Sequence, residues 1–304
     1  MPPPPVSLVP SDHLDPRIRI LRCGSIVDTF ALVTDRYLVI IDTMVSEDTM
    51  LAGIQLLADQ GLLDRPLLVL NTHGDWDHVC GNGIFCREDA PYPAPVIGSE
   101  VATELMLSPD ASTFLDALKA EHPGEFDTAN IWPPTIRFRE YLELDCGDLS
   151  LEFVPTPGHR PGHSALWIPE LRLLFAGDAA ESPLPFVEDP ASIPVLRASF
   201  ERMLDLDPDV VLYCHAPGRT DPGAIRENIA YFDELERRCR SFLAAGNRAP
   251  GHDDLATALD WPLEKAVSSA ALSSSQQPEE GFYQTSHRTA IRSMLAWLKG
   301  TATE

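Results

Sequence analysis

In the stretch Asn71-Thr72-His73-Gly74-Asp75-Trp76-Asp77-His78, four potential metal ligands fall within six positions: His73, Asp75, Asp77 and His78. Immediately before it, Pro66-Leu67-Leu68-Val69-Leu70 is a short apolar run that predicts a buried strand. The ligands therefore sit on the loop leaving the strand's C-terminal end, where open α/β sheets usually keep their sites. Mixed His and Asp donors suit zinc, iron or manganese better than calcium or magnesium, which prefer oxygen cages. Polar loops after strands also take His and Asp for turn-making. No single member of the four decides the matter, and the rest of the chain has to.

Upstream, strand-like segments cover Ile18–Leu21, Thr29–Val33 and Tyr37–Ile41, with Thr34-Asp35 as a hairpin turn. Asp42 follows directly on this hairpin. Residues 46–60 predict a helix, with Met50, Ile54 and Leu57 at near-helical spacing and Gly61 as its stop. The Pro-rich residues 1–16 are expected to form an irregular arm. Downstream, Val96-Ile97 predicts a strand, 99–120 predicts helix broken at Pro109, and 121–134 predicts a pocket-bordering loop. Strands follow at 141–144, 149–154, 165–168, 173–175 and 210–213, and helices at 192–206 and 223–243. In the second helix Ile225, Ile229, Phe232, Leu235, Cys239 and Phe242 form an apolar stripe. A small helical unit ends the chain: a short helix over 253–259, a Ser/Gln/Glu-rich stretch over 268–281 expected to be mobile, and a helix over 285–299. His287, Ile291, Met294 and Leu298 share one face of that last helix.

The 304 residues suffice for a full core. The formal net charge of -23 disfavours nucleic acid and anionic membranes as partners. The partner expected is a small-molecule substrate. No run of 18 apolar residues offers a membrane span, and the six cysteines contain no C-x-x-C pair. With no signal-peptide pattern after Met1, the expectation is a cytoplasmic protein with reduced thiols.

Three later strand ends carry residues of the right chemistry. Thr156-Pro157-Gly158-His159-Arg160-Pro161-Gly162-His163 follows one, Gly177-Asp178 a second and His215 a third. With these motifs in this order, the chain resembles the metallo-β-lactamase superfamily over about residues 17–245. The T-H-x-H-x-D-H pattern appears at 72–78, the T-P-G-H-T-x-G-H pattern of glyoxalase II and lactonase members at 156–163, and the early I-D-T as Ile41-Asp42-Thr43. The resemblance implies an α/β fold, a four-layer αββα sandwich at 17–244 preceded by the arm at 1–16 and followed by a C-terminal helical extension at 245–304.

It also implies two divalent metal ions, zinc first, with iron or manganese as alternatives. One position would use His73, residue 75 and His159. The other would use Asp77, His78 and His215, with Asp178 bridging. Asp42 would orient ligands without binding metal, and His163 would be a structural hydrogen-bonding residue. One departure matters: the family usually has His where this chain has Asp75. A harder oxygen donor shifts preference toward iron or manganese and lowers the metal's Lewis acidity. Flavodiiron members carry an acidic residue at this position too. A third option leaves Asp75 uncoordinated and only one position filled.

The activity implied is a metal-dependent hydrolase using a metal-bound hydroxide on an ester-type bond, in a thioester, lactone or phosphodiester. Asp77 would orient the hydroxide or accept its proton. The alternatives are an iron-dependent oxidoreductase of flavodiiron or persulfide dioxygenase type, and a non-catalytic small-molecule-binding member. Trp76, Tyr283 and His287 are further candidates for the pocket, each with packing as the competing role. The residues do not choose the substrate or the oligomeric state.

Overall fold

A computed structural model of the chain describes residues 1–247, 251, 254–275 and 281–301. The protein is a mixed α/β structure with two sheets and flanking helices. It divides into two compact units, Met1–Pro155 with Arg160–Leu171, and Thr156–His159 with Arg172–Glu304.

The first unit holds a seven-stranded sheet in sequence order: β1 (Val6–Val9), β2 (Ile18–Cys23), β3 (Val27–Val33), β4 (Leu38–Ile41), β5 (Leu67–Leu70), β6 (Val96–Ser99) and β7 (Ile136–Phe138). β1 to β4 run antiparallel as a meander, and β4 to β7 are parallel. The middle strands are almost continuously apolar and buried, as strands covered on both faces must be. The parallel crossover from β4 to β5 is α1 (Glu47–Asp59). Ser46 caps it, its hydroxyl accepting from the Thr49 amide while the Thr49 hydroxyl accepts from the Ser46 amide. In this register Ile41 lies level with Leu70, so Asp42 and Asn71 leave the sheet at the same height.

After β5 come α2 (Trp76–Val79) and α3 (Gly83–Cys86). Beyond β6, α4 (Glu100–Met106) and α5 (Pro109–Glu121) are separated where the sequence has Pro109. Proline suits the first turn of a helix, and Ser108 caps α5. β8 (Leu142–Asp145), β9 (Ser150–Pro155) and β10 (Ser164–Ile168) form an antiparallel meander.

The second unit contains the parallel pair β11 (Leu173–Gly177) and β12 (Val210–Tyr213), joined through α6 (Ser192–Asp205). α7 (Gly223–Ala244) packs on α6, with the Phe200 and Phe232 rings 6.0 Å apart. α8 (Leu255–Ala258), α9 (Leu263–Ala266), α10 (Ser269–Ser274) and α11 (Phe282–Thr301) complete it.

Three expectations change. The arm at 1–16 is not irregular throughout, because Val6–Val9 pairs with β2. Pro2–Pro5 lack the amide hydrogens a ladder needs, so pairing starts at Val6. β7 escapes the hydrophobic pattern because it is three residues long with two exposed. Within the Ser-rich stretch at 268–281, residues 269–274 form α10, capped by Ser268; residues 276–280 lie outside the described residues, as does residue 253 at the start of the expected short helix.

Candidate functional site

In the first unit the chemistry gathers on the loop after β5, where close approach is required. A Cβ on Gly74 would lie 2.9 Å from Met106 Cγ and 3.0 Å from the Ala102 carbonyl oxygen, so glycine lets the loop pass under α4. Asp42 is completely buried and adopts a left-handed backbone, φ +64°. Its Oδ1 accepts from the Thr72 amide at 2.8 Å, and its Oδ2 accepts from the Thr72 hydroxyl at 2.8 Å. The same Oδ2 lies 2.9 Å from His78 Nδ1.

These contacts fix two tautomers. A carboxylate only accepts, so His78 Nδ1 carries the proton and in the neutral ring Nε2 keeps the lone pair. The Thr72 hydroxyl has given its one hydrogen to Asp42. It must therefore accept from His73 Nδ1, 3.0 Å away, which puts the His73 lone pair on Nε2 as well. Both rings are fully buried with centroids 4.2 Å apart. Asp77 Oδ2 lies 3.5 Å from His78 Nε2. The peptide behind the loop is held by Asn82, whose amide exchanges hydrogen bonds with Asn71 and reaches the Trp132 carbonyl and the Thr43 hydroxyl. His163 is buried with its ring centroid 5.0 Å from that of His73.

Asp75 has a different neighbour. Arg160 Nε donates to both its oxygens, at 2.9 and 2.8 Å. The nearest Asp75 oxygen is 4.0 Å from His73 Nε2.

The second unit carries its own set. Gly158 takes φ +133°, and a Cβ there would stand 2.4 Å from the Leu196 Cα in α6. The Ser199 hydroxyl donates to the Pro157 carbonyl at 2.6 Å. The turn that presents His159 is thus seated on α6. Asp178, just past β11, has its Oδ2 3.6 Å from His159 Nε2 and 3.2 Å from His215 Nε2, His215 being just past β12. Glu181 is buried with Oε1 3.6 Å from His159 Nδ1, and it accepts from the Phe186 amide at 3.2 Å. Burial, and then the neighbouring Asp178 charge, push the Glu181 carboxyl up to about 7. Asn228 of α7 clamps the Glu181 peptide by accepting from its amide at 3.0 Å and donating to its carbonyl at 2.8 Å. Donor atoms of His159, Asp178 and Glu181 all lie within 4.8 Å of one another.

Imidazole nitrogens gathered beside carboxylates are the donor chemistry that zinc, iron and manganese take. The residues of each unit fit a divalent ion on that ground.

The profile described as Metallo-beta-lactamase superfamily matches residues 24–215. The chain belongs to that superfamily.

Among solved structures, this superfamily member is similar to a metallo-beta-lactamase family protein from Thermus thermophilus, at 20% identity over 98% of this chain and 94% of that one, TM-score 0.64. It is similar too to a beta-lactamase domain protein from Burkholderia ambifaria, at 19% identity over 97% and 88%, TM-score 0.69. A third is the inverting sec-alkylsulfatase Pisa1 from Pseudomonas sp., at 18% identity over 92% of this chain and 49% of that one, TM-score 0.61. At these identities the likeness is one of fold, and it bears out the metallo-β-lactamase architecture with a C-terminal helix. No curated protein matches the sequence.

Within the first unit the metallo-β-lactamase motif brings Asp42, His73, Asp77, His78 and His163 together, and within the second His159, Asp178 and His215 meet. Glu181 was not expected. It lies three positions past Asp178 behind two alanines, with no spacing that marks it as part of a site. Trp76 is half-buried and packs on Phe126 edge to face at 5.1 Å. His287 is also structural: its Nε2 lies 2.7 Å from the Trp261 carbonyl and its Nδ1 2.8 Å from the Tyr231 hydroxyl. Tyr283 does reach the acidic cluster's field, since burial and then the Glu181 and Asp178 charges push its phenol above the usual range.

Proposed function

We propose that this chain is a metal-dependent hydrolase of an ester-type bond, in a thioester, lactone or phosphodiester. The observation that carries the reading is the Asp42–Thr72 arrangement, which commits the Nδ1 protons of His73 and His78 inward and leaves two Nε2 lone pairs to a cation. Superfamily members are mostly metal-dependent hydrolases.

His73, Asp77 and His78 in the first unit and His159, Asp178 and His215 in the second are the residues that would hold divalent metal, with zinc as the first choice. A bound divalent ion lowers the pKa of water from about 15.7 to about 7, which supplies a nucleophile at neutral pH. Asp77 would orient that water or take its proton, and His73 and His78 are themselves buried from bulk solvent. The catalytic module corresponds to residues 17–244 and the extension to 245–304. The partner is a small-molecule substrate. Among the described residues no helix is long and apolar enough to cross a membrane. The six cysteines are not joined in disulfides, in keeping with a reducing cytoplasmic location.

The test is elemental analysis of the natively purified protein together with turnover of a panel of a thioester, a lactone, a phosphodiester and a secondary alkyl sulfate. Metal-dependent turnover lost in Asp178→Ala is the expected result. A metal-loaded protein inactive on every class, or one that consumes oxygen when iron-loaded, would overturn the hydrolase reading in favour of a binding or oxidoreductase role.

A further inference from the structure

Arg160 Nε donates to both oxygens of Asp75, and we propose that Arg160 and a divalent ion compete for this carboxylate, so that the chain holds one ion tightly and a second weakly. The inference rests on the metal-dependent reading above and concerns its first metal position.

Two positions depart from the superfamily pattern quoted above: Asp stands for His at 75, and Arg stands for Thr at 160. In the structure these two departures meet each other. The pairing is not a loose surface contact, since the Asp75 side chain is 23% exposed and Arg160 35%. Asp75 nevertheless remains within reach of a cation on His73. Its nearest oxygen is 4.0 Å from His73 Nε2, a span that two ligands of one ion at about 2.0–2.2 Å each can close.

What differs from a histidine ligand is charge. A histidine at 75 would offer a neutral lone pair. Asp75 offers an anion whose charge a guanidinium already balances, and the guanidinium cannot shed its proton to make room. An ion drawing on Asp75 must therefore accept a fixed positive charge directly behind its ligand, or displace Arg160 toward solvent. Either course weakens that position. His78 is placed differently, because the group behind it is the Asp42 carboxylate, an acceptor that strengthens the imidazole as a donor.

The experiment is zinc titration of the chelator-stripped full-length protein by calorimetry, with bound metal counted by elemental analysis. It uses the wild type, Arg160→Thr, Arg160→Gln, Asp75→Asn and the Arg160→Thr/Asp75→Asn double variant, with thermal melts to confirm folding. The wild type is expected to show one tight step and a second that is weaker by on the order of 10–100-fold. Either Arg160 substitution brings the second step close to the first. Asp75→Asn abolishes the second step, and adding Arg160→Thr does not restore it. Two equally tight steps in the wild type, or a second step unmoved by both Arg160 variants, would overturn the inference and leave the functional reading standing. Failure of every folded variant to bind zinc would overturn both.

Discussion

Asp42 Oδ2 lies 2.9 Å from Nδ1 of His78 and 2.8 Å from the Thr72 hydroxyl, so one buried carboxylate oxygen sets the orientation of two histidines. Removing it in Asp42→Ala leaves the Thr72 amide and the His78 Nδ1–H without their acceptor. Zinc affinity should fall by about 10–100-fold, and stability by about 2–4 kcal/mol from the unmatched donors. Competition with a chromophoric chelator reads the first and urea unfolding the second. Unchanged affinity in a folded Asp42→Ala protein would show that the histidines need no such support.

Gly158→Ala should destabilise the second unit by about 3 kcal/mol or more. The new Cβ would meet the α6 backbone 2.4 Å away in a conformation that L residues rarely adopt. A midpoint of unfolding within experimental error of the wild type would show that the turn before His159 has room to relax.

Acidification should loosen the packing around α11 through His287. Burial holds its imidazole below the ordinary 6.5 in the folded chain, while the unfolded chain keeps that ordinary value. The unfolded state therefore binds the proton first, so the stability present above pH 6.5 is lost as pH falls from there through the folded pKa. A His287→Gln variant, which cannot titrate, should show a shallower fall in melting temperature from pH 7 to pH 5. Parallel curves for the two proteins would rule the imidazole out as the cause.

Asn82→Ala should cost about 2–3 kcal/mol, since it strips partners from the buried Asn71 and Thr43 side chains and from the Trp132 carbonyl. Amide hydrogen exchange should quicken first in the 71–82 segment. Equal slowing or quickening across the whole chain would point to global destabilisation instead.

Much of the fold is legible in the sequence. β5 and β12 fall on the residues that the apolar runs mark, because a short buried strand is uninterrupted Val and Leu between turn formers. The candidate ligand residues stand out in the sequence because glycine and proline punctuation accompanies them. Other features depend on partners far away in the chain. β1 has a proline-rich prelude that reads as an irregular arm, and only its pairing with β2 makes it a strand. The α7 stripe was read from apolar residues alone, yet its buried face includes Asn228 and Tyr231, whose polar atoms meet Glu181 and His287. Asp75 read as a ligand because the motif position is one. Its bond to Arg160, 85 residues later, has no local signature.

The level alignment of Ile41 with Leu70 has a genetic consequence. Deleting or inserting one residue inside either neighbouring strand would leave a plausible parallel pair yet carry Asp42 past Thr72 and turn its carboxyl to the opposite face. Such a frame error could fold and still fail to orient either imidazole. A change of length is accordingly intolerable between 38 and 41 or 67 and 70.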